Sequence, residues 1–567
     1  MQMIYYSFLL GAIGALGATL ADFCTQDHVQ ESLPQGVLPG VTFDAASITA
    51  NAVSNQTVTG GSNFPGGTIS YCNVTFQYAH ANLDETIILM YWLPDPAEFQ
   101  GRFLATGGGG LAISSGSSYL PGGILYGATA GTTDGGYGGF QSSLDNVVLA
   151  GNGSLQWNYI TLHGYQAIHE MTVIGKSFTG NFYDYNDKIY TYYQGCSEGG
   201  REGWSQAQKF GAEYDGIIAG APAFHYAQLQ TTHIFPSVAE QTLDYYPPPC
   251  ELSTITSGIV TACDPLDGKA DGVIARSDLC RLDFNISTLL GTPYYCNATS
   301  TRPVQDGTVS AQALELVDII MAGLHNSKGE LVWVQHEPGA GFSDATTTYD
   351  QTTGTWKYSI PAIGGDYVTR FIQQVELSNL PNLDNVTYDT LSGWIIESMY
   401  TYMSTLQTTY PDLTDLQQGG GKIIHYHGEQ DGSIATGSSV IYREAVRQVM
   451  FPGLSYNESN SKLDEFYRFY LIPGAGHCGP NTAQPNGPFP QTVIQTIIDW
   501  VENAIAPETL NGTVLQGQNQ GQNQQICAWP LRPFWQDGST LACEYDQTSI
   551  DSWTTAADLN AYKTAFY

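Results

Sequence analysis

Positive charge is what this chain has least of. Its 19 Lys and Arg stand against 53 Asp and Glu, a formal charge of −34 over 567 residues. That balance excludes a nucleic-acid partner, because displacing the counterions around phosphates takes a basic surface. Binding to an anionic membrane surface is disfavoured on the same ground. After its first 21 residues the chain also lacks any apolar run of about 18, the length a spanning helix needs, so the mature chain is expected to be soluble. No internal repeat is present. No His-x₃-His pair such as H-E-x-x-H occurs, which disfavours a catalytic zinc hydrolase. Material for a core is not scarce. Apolar residues make up 42% and aromatics 12%, enough to exclude a disordered chain. The length suits one large domain with insertions, or two to three domains.

The first 21 residues, MQMIYYSFLLGAIGALGATLA, read as a signal peptide. They form an apolar run ending in the small residues Thr19 and Ala21, though no basic residue precedes it. An uncleaved anchor is the alternative. Eight Asn-x-Ser/Thr sequons, at Asn55, Asn73, Asn152, Asn285, Asn297, Asn385, Asn457 and Asn511, point the same way. In an oxidising compartment the ten cysteines are expected to pair.

Strands are expected at Asn73–Tyr78, Glu85–Trp92 and Arg102–Ala105, the last running into Gly107–Gly110. A helix at Gly164–Phe178 has apolar spacing near 3.6. Strand Lys188–Tyr193, helix Gly199–Phe210 and strand Gly216–Gly220 follow. Helix, strand, helix, strand is the rhythm of a parallel α/β sheet. It breaks down over residues 223–418 and returns at Lys422–His427 and Phe466–Ile472. The expected division is therefore a leader (1–21), a first catalytic part (22–222), an insertion (223–418) and a second catalytic part (419–567). Gln491–Ala504 reads as an amphipathic helix and Gln516–Gln525 as a low-complexity linker. Cys527 and Cys543 are expected to close a small loop in the C-terminal tail.

The sharpest motif is Gly195-Cys196-Ser197-Glu198-Gly199, a G-x-S-x-G turn between an expected strand and helix. Glycines flank the serine because larger residues would clash in so tight a turn. The helix N-terminus then lies beside the developing oxyanion. A serine hydroxyl needs a base, and in this architecture the order is Ser, acid, His. After strand Lys422–His427 comes Gly-Glu429-Gln-Asp431-Gly, so Asp431 is the candidate orienter, with Glu429 competing. After strand Phe466–Ile472 comes Pro-Gly-Ala-Gly-His477-Cys478-Gly, so His477 is the candidate base. Cys196 directly precedes the serine and Cys478 directly follows the histidine. If Ser197 and His477 meet, their neighbours fall within the span of about 4.4–6.8 Å that a disulfide bridges.

These features together identify a resemblance. Cys-Ser, Asp and His-Cys, with stretches such as TYYQGCSEGGREGW, AGAPAFHYAQ, EQTLDYYPPPCEL, ACDPLDGKADGV and FYLIPGAGHCG, resemble the fungal tannase and feruloyl esterase family, its tannase branch in particular. The resemblance runs through nearly all of the mature chain. It implies an α/β-hydrolase fold with a lid inserted between the Ser197 and Asp431 segments. It implies hydrolysis of gallic acid esters, with Ser197 as nucleophile, His477 as general base and acid, and Asp431 orienting His477. Some members are cut in two at a dibasic site in the lid; here no two basic residues adjoin, so an uncut chain is expected.

The oxyanion donors expected are the Glu198 amide and one from the Gly107–Gly110 run, with Gly109 and Gly110 the candidates. The Asp-rich loop Cys263–Val273 matches family loops that bind structural Ca²⁺. The match implies the side chains of Asp264, Asp267 and Asp271 and the carbonyls of Lys269 and Val273 as ligands. Expected bridges are Cys196–Cys478, Cys263–Cys280, Cys24–Cys72 and Cys527–Cys543, which leaves Cys250–Cys296. No organic cofactor is expected. Polar partners for the acyl ring should come from the insertion; His225, Gln228, Gln230, His233, Glu240 and Tyr245 are candidates. The reading is a secreted serine esterase for galloyl esters. Rivals are a feruloyl esterase of the same architecture and a non-catalytic binding protein on a hydrolase fold. Oligomeric state is left open.

Overall fold

The computed structural model describes residues 19–555. Most of the expected leader, residues 1–18, lies outside the described residues. The framework is a nine-stranded sheet. In chain order its strands are β1 (Val41–Val58), β2 (Gly67–His80), β3 (Ile87–Pro94), β4 (Arg102–Thr106), β5 (Ala128–Thr133), β6 (Tyr190–Cys196), β7 (Gly216–Gly220), β8 (Lys422–Gly428) and β9 (Tyr467–Ile472). They lie in the order β1-β2-β3-β5-β4-β6-β7-β8-β9. The first three are antiparallel and β3 pairs antiparallel with β5; from β5 to β9 every pairing is parallel. Four helices position the site: α1 (Ala167–Tyr183), α2 (Glu198–Lys209), α3 (Gly437–Met450) and α4 (Val493–Asn503).

Alternation along the short parallel strands sorts side chains to two faces. Phe103, Ala105, Ile217, Ala219, Ile423 and Phe469 belong to one cluster with Ile168, Met171, Ile174 and Phe178 of α1 and Trp204 of α2. Leu104, Ile218, Ile424 and Tyr470 pack with Val493, Ile494, Ile497 and Ile498 of α4. Each fully buried Ile or Phe side chain contributes roughly 1.5–3 kcal/mol, so the two layers together fix the sheet. The functional residues are then free to stand at one edge of it, where the parallel strands end.

The α/β alternation is interrupted between β7 and β8, where the intervening segment runs for about 200 residues. It carries a cluster of its own, in which Leu252, Ile255 and Ile259 meet Leu316, Val317 and Ile320. Phe224, Tyr226, Tyr367 and Tyr402 join the main cluster of the sheet instead. The segment is thus rooted in the sheet layer and folded upon itself beyond it.

Two parts of the chain differ from expectation. Strand β5, ATAGTT, is buried throughout and lies between β3 and β4. It has no apolar alternation because both its faces are covered and small residues suffice there. The Gln/Asn/Gly stretch at 516–525 is not a free linker. Val514 N–H donates to Gln522 O at 2.9 Å and Gly521 N–H to Val514 O at 2.8 Å. These bonds close a turn between strands Thr509–Val514 and Asn523–Cys527. Buried Ile526 and Cys527 anchor the second of these.

Candidate active site

Ser197 sits where β6 ends and α2 begins, with φ 65° and ψ −124°. A non-glycine residue holds such a conformation at a cost of order 1–3 kcal/mol, so the surroundings must enforce it. They do. Ser197 N–H donates to Gly220 O at 3.0 Å, and its carbonyl accepts from Arg201 at 3.0 Å and Ala223 at 3.1 Å. A Cβ on Gly195 would stand 2.5 Å from the Gly199 carbonyl oxygen, which is why the turn demands glycine on that side.

His477, on the loop after β9, places Nε2 2.8 Å from Ser197 Oγ and Nδ1 2.8 Å from Asp431 Oδ2. Asp431 follows β8 and is fully buried. Its Oδ1 accepts the amides of Ser433 at 2.8 Å and Ile434 at 2.9 Å. Its Oδ2 also accepts from His427 Nε2 at 3.1 Å. Burial opposes ionisation of Asp431, but His477 and His427 outweigh it and hold the carboxyl well below its usual range. Burial likewise opposes a charged His477, and Asp431 lifts the imidazole above its ordinary value. The competing acid is spent elsewhere. Glu429 Oε1 accepts from Ser277 Oγ at 2.7 Å and is paired with Arg532.

The ten cysteines form five bridges: Cys24–Cys72, Cys196–Cys478, Cys250–Cys296, Cys263–Cys280 and Cys527–Cys543. The second joins the residue before Ser197 to the residue after His477, with Cα atoms 6.0 Å apart across a sequence separation of 282. A loop of that length corresponds to about 5 kcal/mol in the chain-entropy view.

Behind the serine lies a buried ionic group that sequence reasoning missed. Glu198 Oε1 accepts from Arg201 Nε at 2.7 Å and lies 2.7 Å from His163 Nε2. Arg201 also donates to the carbonyls of His163 and Gly164, both at 2.8 Å. Those carbonyls are available because the chain enters α1 through a widened turn at Leu162–Gln166. Burial works against the Glu198 charge, and Arg201 and His163 overcome it. Glu202, one turn on, behaves oppositely: burial and the Glu198 charge push it well above the usual range. Its Oε2 accepts the Gly108 amide at 2.9 Å, and Gly199 N–H donates to Gly108 O at 3.1 Å. The glycine run is thereby docked on α2. Gly109 N–H is bonded to Ala112 O at 3.0 Å, whereas the amides of Gly110 and Glu198 carry no hydrogen bond among the described residues. The signal for Arg201 was present as an acid and a base three apart in Glu198-Gly-Gly-Arg201.

The insertion candidates do not form one cluster. His225 is half-buried against Phe224 and Trp333 and pushed down to about 3 by desolvation of its ring. Gln228 Oε1 accepts from Gln407 at 2.9 Å, and His233 Nδ1 pairs with Asp344 at 2.7 Å. Gln230 Oε1 and both Glu240 carboxyl oxygens are buried without a partner. Tyr245 belongs to the insertion's own packing, donating to Glu251 at 2.7 Å. The insertion reaches the serine through Ala223, which packs with Leu229 and Ile434.

The Asp-rich loop lies behind the histidine loop. Ile274 N–H donates to Gln484 at 2.7 Å and Asn486 donates to Asp271 O at 2.8 Å. Asp264 Oδ1 accepts the amides of Asp271 at 3.0 Å and Val273 at 3.2 Å. Lys269 Nζ stands 2.8 Å from Asp271 Oδ2, and Asp271 Oδ1 is buried without a partner. Burial, with the charges of Asp271 and Asp264, pushes Asp267 up to about 7. The loop is short of positive charge and rich in hard oxygens, which fits a cation. Among the described residues no three acidic side chains yet converge on one point; Lys269 occupies one of them. Of the sequons, Asn55, Asn152, Asn285, Asn297, Asn385 and Asn457 are exposed. Asn73 sits inside β2, paired on both sides, with Oδ1 buried, and Asn511 is half-buried.

The pattern that defines the tannase and feruloyl esterase family matches residues 72–550. The chain is 46% identical to a tannase of Aspergillus oryzae over 98% of each chain. It is 30% identical to a probable feruloyl esterase of Arthroderma benhamiae over 88% of each. Its structure is similar to the tannin acyl hydrolase of Aspergillus niger, with TM-score 0.93 and 52% identity over 94% of this chain and 97% of that one. With feruloyl esterase B of Aspergillus oryzae the TM-score is 0.69 at 25% identity, over 91% and 100%. No described helix is long and apolar enough to cross a membrane. The chain belongs to the tannase and feruloyl esterase family and is a carboxylic ester hydrolase.

Proposed function

We propose that this protein is a secreted serine esterase of α/β-hydrolase fold that cleaves galloyl esters and releases gallic acid. The segment between β7 and β8 serves as its lid. One observation carries the reading: the hydrogen-bonded line Asp431–His477–Ser197 ends beside the unspent amide of Glu198. His477 takes the Ser197 proton as Oγ attacks the ester carbonyl. The amides of Glu198 and Gly110 receive the tetrahedral oxyanion. Arg201 neutralises Glu198, and burial beside Glu198 disfavours a charged Glu202, so negative charge near the oxyanion is kept low. The alcohol leaves with the proton held on His477, and water repeats the sequence on the acyl-enzyme. Asp431 stays ionised throughout and steadies the imidazolium.

Galloyl over feruloyl is favoured by the higher identity to a tannase, 46%, than to a probable feruloyl esterase, 30%. The five bridges and the exposed sequons support secretion. A structural Ca²⁺ would be held by Asp264, Asp267 and Asp271 with the Lys269 and Val273 carbonyls. It would supply the missing positive charge beneath the histidine loop, and the Lys269 ammonium would have to leave Asp271. It takes no part in the chemistry. The test compares kcat/KM on methyl gallate and methyl ferulate. Preference for the gallate is expected, and preference for the ferulate reverses the assignment. Ser197→Ala should lose about 10⁴-fold or more in kcat with the fold intact. A chain that neither turns over nor labels with a serine-directed phosphonate would be the binding protein instead.

A further inference from the structure

Strand β8 carries two histidines in an otherwise apolar run, His425 and His427, which point to the same face because they are two apart. Both are fully buried, as are Ser439 of α3 and Tyr467 of β9. Rings wall them in: Trp204 stands edge-on to His425 at 5.4 Å and Phe469 tilts against it at 4.5 Å. Around this group stand Arg443 of α3, which pairs with Asp464 at 2.9 Å, together with Tyr442 and Glu444 of the same helix. Asp431 and His477 stand at its far end.

For a neutral His427 the direction of every hydrogen bond here follows from the atoms. His427 Nε2 faces two oxygens that only accept, Asp431 Oδ2 at 3.1 Å and Ile434 O at 3.2 Å. The proton of His427 is therefore on Nε2. Its Nδ1, 2.7 Å from Ser439 Oγ, must then accept the serine proton. Ser439 has one proton, so its oxygen accepts from His425 Nε2, 2.9 Å away. His425 Nδ1 in turn accepts from the Tyr467 hydroxyl at 2.8 Å. Burial keeps His425 neutral, and Arg443 nearby acts in the same sense.

We propose that His427 is a positioning residue for Asp431, the last member of a one-way hydrogen-bond chain Tyr467→His425→Ser439→His427→Asp431. The proposal rests on the triad reading given above. Each donor polarises the next, strengthening each bond by about 10–30%. The chain ends on the Asp431 oxygen that also holds His477 Nδ1. His427 thus sets where that oxygen stands, and through it where His477 points. The imidazole reaches the serine only if the carboxylate is fixed in plane.

The experiment uses the full secreted chain and methyl gallate. His427→Leu removes the donor, and kcat should fall about 10–100-fold with KM changed less than twofold, the size seen where a partner that orients a metal-binding side chain is removed. His427→Gln places an amide N–H where Nε2 stands and should recover most of the loss at equal thermal stability. Folded His427→Leu with unchanged kcat overturns the proposal. So does His427→Gln as slow as His427→Leu. If His427→Leu fails to fold, Ser439→Ala breaks the chain one link back, and unchanged kcat there overturns it equally. Asp431→Asn separates the two claims: near-normal activity in that variant refutes the triad, whatever His427 does.

Discussion

Glu198, at the head of α2, and Glu240, in the segment between β7 and β8, are both buried glutamates. Glu198 has Arg201 and His163 within hydrogen-bonding reach and is held below its ordinary value in spite of burial. Among the described residues Glu240 has no partner on either oxygen, and burial pushes it up to about 9. The pattern extends beyond the pair. In the inserted segment burial pushes Glu337 and Asp366 up to about 7, although Arg281 and Arg370 stand beside them. By the sheet, Asp431 is held low, and Glu429 is matched by Arg532. Glu202 is the exception there, raised by burial and its charged neighbour Glu198. A chain with 19 Lys and Arg cannot pair every acid it buries. Arg201 is placed against Glu198 beside Ser197, whereas Glu240 of the insertion has no cation assigned to it and burial favours its neutral form. Such groups bind more protons folded than unfolded, so they lower stability as pH rises from the ordinary carboxyl value toward the folded one.

Removing one cation from the sheet side breaks the contrast most severely. Arg201→Leu leaves buried Glu198 with only His163 beside it and should cost about 3–5 kcal/mol in denaturant unfolding; a near-normal stability would mean the two glutamates are not differently held. Chelation comes next. If the Asp-rich loop holds Ca²⁺, EDTA should remove about 2.7 kcal/mol relative to Ca²⁺ at a hundredfold excess over its Kd. Thermal unfolding with and without EDTA checks this, and Asp267→Asn should abolish the difference. The smallest effect has the opposite sign. Glu240→Gln should stabilise the protein by about 1 kcal/mol at pH 7.5, a gain typical of relieving one unfavourable group. The gain should shrink toward zero below the ordinary carboxyl value of 4.5. Unfolding temperatures of both chains from pH 4 to 8 provide the comparison, and a gain independent of pH would show that Glu240 does not titrate with unfolding.

The serine, aspartate and histidine were legible because each lies in a loop directly after a strand whose apolar run is easy to see. The bridge between Cys196 and Cys478 was legible because both flank residues that must meet. What resisted reading has a common cause. Strand β5 is made of small residues whose burial comes entirely from neighbours. Arg201 and Glu202 look like surface helix charges until the turn at Leu162–Gln166 presents its carbonyls. His425 and His427 were read only as strand residues, although two histidines on one face of a buried strand signal a polar partner in the facing helix. In each case the decisive partner is more than a hundred residues away or on another element, where periodicity carries no information. The roles of the six insertion candidates are hard to read for the same reason: partners such as Asp344 for His233 and Gln407 for Gln228 are set by tertiary packing.

The Cys196–Cys478 bridge also has a topological meaning. It closes the backbone into a covalent ring that contains the whole insertion. A protease that nicks any exposed loop between those two cysteines opens the ring without releasing a fragment from the region that carries Ser197 and His477. Two pieces would migrate separately only after reduction, and until then Ser197 and His477 remain on one molecule. The ring therefore keeps Ser197 and His477 on one molecule after cleavage, as it limits their separation on unfolding.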